Sequence, residues 1–473
     1  MSFSTSARSF PRRFGAVLAS FLQQPGLPFA DALPEERIQA AFDAEGVAFA
    51  QAPDEIYTPP LTLWAFLSQA LFKDEQRSCA AAVSRVVVLL VSLGREPPSG
   101  DTGAYCRARA KLPAAVVRRL SCELADGCEQ AVPKKWLWHG RHVKLVDGST
   151  CSMPDTKENQ AEYPQHTAQE PGLGFPLMRF VVLLSLATGM ACDMADGPYS
   201  GKETGELALL RELLSRLNAK DILLGDRYYC SYFMICLLLE AKADLVTRLH
   251  QQRTADFRRG TRLGAGDHVV TWLRPAKPAW MDQATYEQMP ESIQMREVEV
   301  RVEQPGFRSQ SLVVVTTLID ARLYTADDLA ELYHRRWLAE IDILAIKVAM
   351  GLDVLRCKTP EMVRREIWTI LLGYNLIRQT ILNSARQQGF SPRRISFTAA
   401  MQKVAAGWIA VLLIEDAELA ALIAEHLEDL PRRKTGHRPN RVEPRAIKRR
   451  PKPHKLLTKP RAEARADLLA GQE

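Results

Sequence analysis

Three acidic residues in this chain have the type and setting to hold hard cations. Asp147 ends the apolar run Val143 to Val146 in VKLVDGST, and Asp226 ends another in ILLGDR. Aspartates at the ends of neighbouring strands project from one edge of a sheet, and carboxylate oxygens are the ligands a divalent cation such as Mg²⁺ takes. A strand-end Asp taken alone is equally a turn former. The third acid, Glu340, lies in YHRRWLAEIDILAIK, where Tyr333, Arg336, Glu340 and Lys347 stand at i, i+3, i+7 and i+14. At about 100° per residue they point to about 0°, 300°, 340° and 320°, one helix stripe about 60° wide. A single face then presents a phenol, a guanidinium, a carboxylate and an ammonium, a cation ligand among groups suited to phosphate. The competing reading is a solvated face with an i,i+4 pair between Arg336 and Glu340. Trp337, Ile341, Leu344 and Val348, at about 20° to 80°, are expected to anchor this helix to the core.

The elements that must position these residues change character along the chain. Up to about residue 138 the pattern is helical, with Leu112-Pro113 separating two helices, and this predicts an all-helical N-terminal domain. From 142 short β-branched runs take over: Val143 to Val146, Phe180 to Ser185 and Met190 to Met194, a three-stranded meander. A helix over 203–217, a strand over 222–224, a helix over 232–243 and a strand over 245–247 follow, so the sheet is mixed and flanked by helices. Residues 249–310 have a different texture, with strict alternation from Arg296 to Glu303, and predict a β-rich insertion. A strand over 312–317 returns to the main sheet and one long helix over 326–350 carries the stripe. The resulting divisions are a helical domain at 1–138, an α/β core at 139–350, a helical region at 351–430 and a tail at 431–473.

That tail is chemically distinct. Residues 431–465 hold 14 Lys or Arg against two Glu, a net +12 within a chain whose net charge is +7, so the remainder is −5. Six prolines in the same stretch rule out a long helix and predict an extended basic arm, with Lys448, Arg449 and Arg450 as its densest run. Such an arm suits a polyanion, because each phosphate contact releases condensed counterions; a solubilising tail is the plainer alternative. Hydrophobic residues make up 47% and charged residues 25%, and no apolar run is long enough to cross a bilayer, so no membrane role is expected. Nine scattered cysteines without a C-x-x-C pair predict reduced, mostly buried thiols in a cytosolic protein rather than a disulfide framework or zinc site. The first residues, MSFSTSARSFPRRFGAVLASFL, have the charge and apolar order of a targeting peptide but no small-residue cleavage pattern follows, and they are read as part of the mature chain.

With Asp147 in VDGS, Asp226 in GDRYY and Y-x2-R-x3-E-x6-K at 333–347, the chain resembles the insertion-sequence DDE transposases of the Tyr-Arg-Glu-Lys signature class. The order of the three acids matches, as does a β-rich insertion between the second Asp and the Glu. The resemblance covers about 140–375 well and extends more loosely to the helical N-terminus and the EPR-x3-KRRPKP arm. It implies an RNase H-like catalytic core that cuts DNA at terminal inverted repeats and joins the freed 3′-hydroxyls to a target. It also implies two Mg²⁺ or Mn²⁺ ions on Asp147, Asp226 and Glu340, with Asp147 bridging. Tyr333, Arg336, Lys347 and Arg227 are then expected to grip DNA backbone, and a tryptophan of the insertion, Trp272 or Trp280, to stack a flipped base. His334 and Arg335 flank the site, while Asp193 and Asp342 are read as structural. Double-stranded DNA is the implied partner, with a homodimer formed on two ends, in a prokaryotic cytoplasm. Other readings stay open: an RNase H-like nuclease without strand transfer, a domesticated transposase that only binds DNA, or an unrelated metal-dependent hydrolase.

Overall fold

The computed structural model of the chain describes residues 35–47, 55–92, 96–301, 311–407, 416–435 and 456–470. Two compact units are present. One gathers the described residues of 1–140, 187–193 and 342–435; the other those of 141–186, 194–341 and 436–473.

The second unit is built on the sheet. Nine strands, β1 (Val143–Ser152), β2 (Leu177–Ser185), β3 (Ala191–Pro198), β4 (Ile222–Leu224), β5 (Asp244–Arg248), β6 (Thr261–Gly264), β7 (Asp267–Leu273), β8 (Ser292–Arg301) and β9 (Ser311–Thr316), lie in the order β3-β2-β1-β4-β5-β9-β8-β7-β6. β1, β4 and β5 run parallel, as expected of strands buried on both faces, and β4 is a wholly apolar, wholly buried Ile-Leu-Leu. The remaining described pairings are antiparallel. The meander and the alternating strands and helices stand where the periodicity puts them, with β1 and β3 several residues longer than their apolar runs.

The β-rich stretch between Asp226 and Glu340 is not a separate layer. β9 pairs with β5 on one side and β8 on the other, so β6, β7 and β8 extend the same sheet. Alternation in β8 reads as half solvated, yet Arg296 is fully buried and held by Asp267 at 2.9 and 2.6 Å, and Glu297 is buried against His268 and Trp272. A buried charge with its partner in place satisfies the burial rule that an apolar residue would otherwise meet.

The helical unit is organised around the 29-residue helix Pro360–Gln388, which packs on Ala114–Gln130 and Pro59–Leu71. Proline at the first turn, a Thr359 side chain accepting from the Met362 N–H, and Gly389 at φ 74° after the last turn define its ends. Asn375, fully buried at mid-helix, donates to both oxygens of Ser121 and to Ala191 O and accepts from Ala191 N. Tail residues Arg461–Ala470 form a ten-residue helix directly after the last proline, Pro460.

Residues 326–350 depart from the predicted single helix. Thr325 and Asp328 form a capping box at the start of the helix Ala326–His334. Arg336, Leu338 and Ala339 then bond three residues back, to Tyr333, Arg335 and Arg336, before the helix Trp337–Leu344 and a π-helical turn at Ala345–Ala349. Tightened turns advance about 120° per residue rather than 100°, which rotates everything beyond them. The buried stripe is therefore Ala339, Asp342, Ile343 and Ile346, whereas Trp337, Ile341, Leu344 and Val348, expected in the core, are 56, 36, 59 and 55% exposed. An aspartate in the middle of that stripe hid it from hydrophobic periodicity. Asp342 is accommodated because Arg378 and Arg393, in the same unit, both donate to its carboxylate.

Candidate active site

The parallel register of β1 and β4 brings the two aspartates together. Leu145 lies opposite Leu224, and Asp147 and Asp226 each follow two residues later, Asp147 inside β1 and Asp226 just past the end of β4, near enough that the charge of Asp226 acts on Asp147. β1 is still held at this level by β2, Asp147 facing Val182, while the Asp226 carbonyl accepts from the Thr247 hydroxyl of β5 at 2.5 Å. Asp226 also caps the short turn Arg227–Tyr229 by accepting from the Tyr228 N–H at 2.8 Å. The turn-former role and the cation-ligand role are thus both open to this residue, since the second carboxylate oxygen remains.

Glu340 reaches the same place through Arg336. One guanidinium nitrogen lies 3.7 Å from Asp147 Oδ2 and the other 2.5 Å from Glu340 Oε1. Arg336 therefore bridges the strand acid and the helix acid, and the i,i+4 pair and the shared site coexist. Tyr333 is half-buried within electrostatic reach of Arg336, Arg248 and Asp226; burial, partly countered by the two arginines, pushes its phenol up.

Asp147 carries the clearest electrostatic signature. Burial, joined by the nearby carboxylates Asp226 and Glu206, raises its pKa to about 6 against the pull of Arg336 and the bond from the Gly148 N–H. Glu206 was not anticipated. It opens the helix Glu206–Leu213, its pKa is raised by burial and by Asp226, and its Oε2 accepts from the Tyr229 hydroxyl at 3.0 Å. In the sequence Glu206 is indistinguishable from Glu203, three residues earlier, which is exposed and paired with Arg211. Only GDRYY hints at it, through the second tyrosine.

The other predicted residues are placed as follows. Lys347 lies on the π-helical turn, in the helical unit. Arg227 is exposed beside Tyr228, and His334 and Arg335 are exposed, Arg335 pairing with Glu331. Trp272 is 5% exposed, donates its indole N–H to Glu297 and carries Arg253 over its ring at 3.9 Å. Trp280 is half-buried with Arg211 4.0 Å over its ring. Asp193 is buried and bonded to Arg118. Lys448, Arg449 and Arg450 lie outside the described residues. No disulfide links any of the nine cysteines.

In donor chemistry the site fits Mg²⁺ or Mn²⁺: mutually repelling carboxylates and no soft ligand. Among the described residues no three or more His, Cys, Asp or Glu are gathered closely enough to hold a metal ion, and Glu340 is turned onto Arg336.

Comparison with known proteins gives one family and several relatives. The transposase InsG of the insertion sequence element IS4 from Escherichia coli K12 is 26% identical over 407 residues, covering 83% of this chain and 85% of its own. A putative transposase, InsZ, of the same organism is 27% identical over 138 residues, 28% of this chain and 44% of its own. Among solved structures, a piggyBac transposase synaptic complex with hairpin DNA aligns with a TM-score of 0.41 at 9% identity, covering 87% of this chain and 81% of that one. The model of the transposase DDE domain matches residues 138–376, a span that takes in β1 through the helix of Glu340 and about half of the 473 residues, and the chain belongs to that family.

Proposed function

We propose that the protein is a DNA transposase that cleaves the terminal inverted repeats of an insertion sequence and transfers the 3′-hydroxyl ends to target DNA. Asp147, Asp226 and Glu340 would hold two Mg²⁺ or Mn²⁺ ions in an RNase H-like core. The observation that carries this reading is the pairing of β1 with β4 just before the two aspartates, which brings them near one another, with Arg336 tying Glu340 to the first. When bound, such ions activate the attacking oxygen and stabilise the leaving one. The chain's own groups bind and orient: Arg336 and Tyr333 lie beside the acids where a scissile phosphate must come, and exposed Arg227 extends the cationic surface. No side-chain nucleophile is required. The N-terminal helices are assigned to end binding, the C-terminal helices to dimerisation and the basic arm to DNA backbone contacts.

The test is cleavage of a linear duplex bearing the element's ends. Asp147→Asn, Asp226→Asn and Glu340→Gln should each abolish Mg²⁺-dependent cutting while end binding, which rests on phosphate contacts, persists. Normal cutting by any of the three removes that residue from the site.

A further inference from the structure

The two aspartates are each flanked by a glycine, Gly148 after the first and Gly225 before the second. Neither has positive φ, so the demand for glycine comes from neighbours rather than from backbone strain. A Cβ placed on Gly148 would meet the Glu206 carboxylate, with its three atoms at 2.3, 2.5 and 2.7 Å. One on Gly225 would meet the Tyr229 side chain at 2.9 Å and Val146 at 2.9 Å. Contacts this short cannot persist: a side chain at Gly225 would press on the buried Tyr229 and Val146, and one at Gly148 would push the Glu206 carboxylate, the end of a flexible side chain, out of its place. Two of these side chains are themselves joined, Tyr229 donating to Glu206. A continuous path therefore runs from Gly225 through the fully buried Tyr229 to Glu206 and on to Gly148, and it ends with a carboxylate seated against the backbone next to Asp147.

We infer that Glu206 is a fourth carboxylate of the cation site, seated beside Asp147 by Tyr229 and admitted by the missing side chain of Gly148. The inference rests on the proposed cation-binding role of Asp147 and Asp226. A carboxylate placed near two others gains nothing from proximity alone; like charges in a shared site raise its cost. Glu203, three residues earlier, is exposed and pairs with Arg211 instead. The arrangement that holds Glu206 inward, with a buried phenol and two glycines, is what a ligand or close supporting group of a divalent cation needs. Glu206 can take the cation directly or orient a bound water; either way it contributes to affinity. Arg179, a cation whose charge acts on Glu206, donates to Thr204 O and lies over the Tyr199 ring.

Mn²⁺ binding to the full-length protein, followed by electron paramagnetic resonance of the free ion, tests this without any DNA reaction. Glu206→Gln keeps the acceptor for Tyr229 and the volume, and should weaken Mn²⁺ binding about 10- to 100-fold, the range for supporting groups of a metal site. Its melting temperature without divalent ions should be unchanged or higher. Gly148→Ala, which leaves Glu206 in the sequence but evicts its carboxylate, should weaken binding comparably. Tyr229→Phe keeps the ring and removes the tether, and should cause a smaller loss. Wild-type Mn²⁺ affinity in Glu206→Gln, beside a clear loss in Asp147→Asn and Asp226→Asn, overturns the inference and leaves the rest of the site standing. Wild-type affinity in all three overturns both.

Discussion

Asp147 offers a measurement in which the buried charge itself reports on the site. Its carboxyl is held at about 6, against an ordinary value of about 3.9. At 1.36 kcal/mol per unit the difference of about two units is worth about 3 kcal/mol. The sign follows from proton binding: between about pH 4 and pH 6 the folded protein holds this proton and the unfolded chain has lost it. Stability is therefore highest at and below about pH 4, falls as the pH rises to about 6, and stays lower by about 3 kcal/mol beyond. The side chain is only 19% exposed, so solvent does not screen most of this cost. Asp147→Asn removes the titration while the amide oxygen can still accept from Gly148. At pH 8, without divalent cations, the variant should melt higher by up to about 6–12 °C, taking about 2–4 °C per kcal/mol for a body of this size. The two proteins should converge at pH 4. Adding Mg²⁺ at pH 8 should raise the wild type more than the variant, since the ion binds the ionised folded form. Scanning calorimetry in chelator-treated buffers from pH 4 to 8 makes the comparison. Parallel melting curves across that range would refute the assignment of a buried, charge-crowded acid to this position.

Arg336→Ala takes the guanidinium from between Asp147 and Glu340, so the Asp147 carboxyl should titrate higher still by NMR, and end cleavage should slow by about two orders of magnitude or shift position, as loss of a positioning group does. Asp342→Asn leaves Arg378 and Arg393 facing an uncharged group in a buried setting and should cost about 3–5 kcal/mol, read from denaturant unfolding of the helical unit. Removing residues 436–473 should flatten the dependence of log DNA affinity on log salt, and an unchanged slope would show that the arm makes no phosphate contacts.

The two aspartates were legible because each terminates an unbroken apolar run, although β1 continues five residues beyond Asp147, so that it lies in mid-strand rather than at a strand end. Their nearness to one another needed the pairing itself, Leu145 with Leu224, which no local pattern encodes. The helix of Glu340 was legible as an element but not in its phase, because three tightened turns between Tyr333 and Ala339 rotate it and the buried stripe contains Asp342. Arg296 and Glu297 misled in the same way: a charge buried against its partner looks solvated until the partner's position is known. Glu206 left no trace in its own surroundings, being selected by two glycines and a tyrosine on other elements. That the helices before residue 140 and after 342 share one unit is likewise a matter of long-range packing around Pro360–Gln388.

The place of β9 in the sheet has a consequence for how the chain is made. β5 ends at Arg248 and its partner β9 begins at Ser311, so during synthesis at about 5–20 residues per second the free edge of β5 waits roughly 3–13 s for its neighbour. β1, β4 and β5 have by then emerged with both aspartates, and the Thr247 hydroxyl can already fix the Asp226 carbonyl. An open, apolar parallel edge of this kind is where a nascent chain pairs with the wrong strand. β6, β7 and β8, emerging in the interval, can fold back on one another as antiparallel neighbours before β9 joins them to β5. Closure of the sheet thus hinges on one six-residue strand, and Glu340, the last of the three acids to be made, emerges after it.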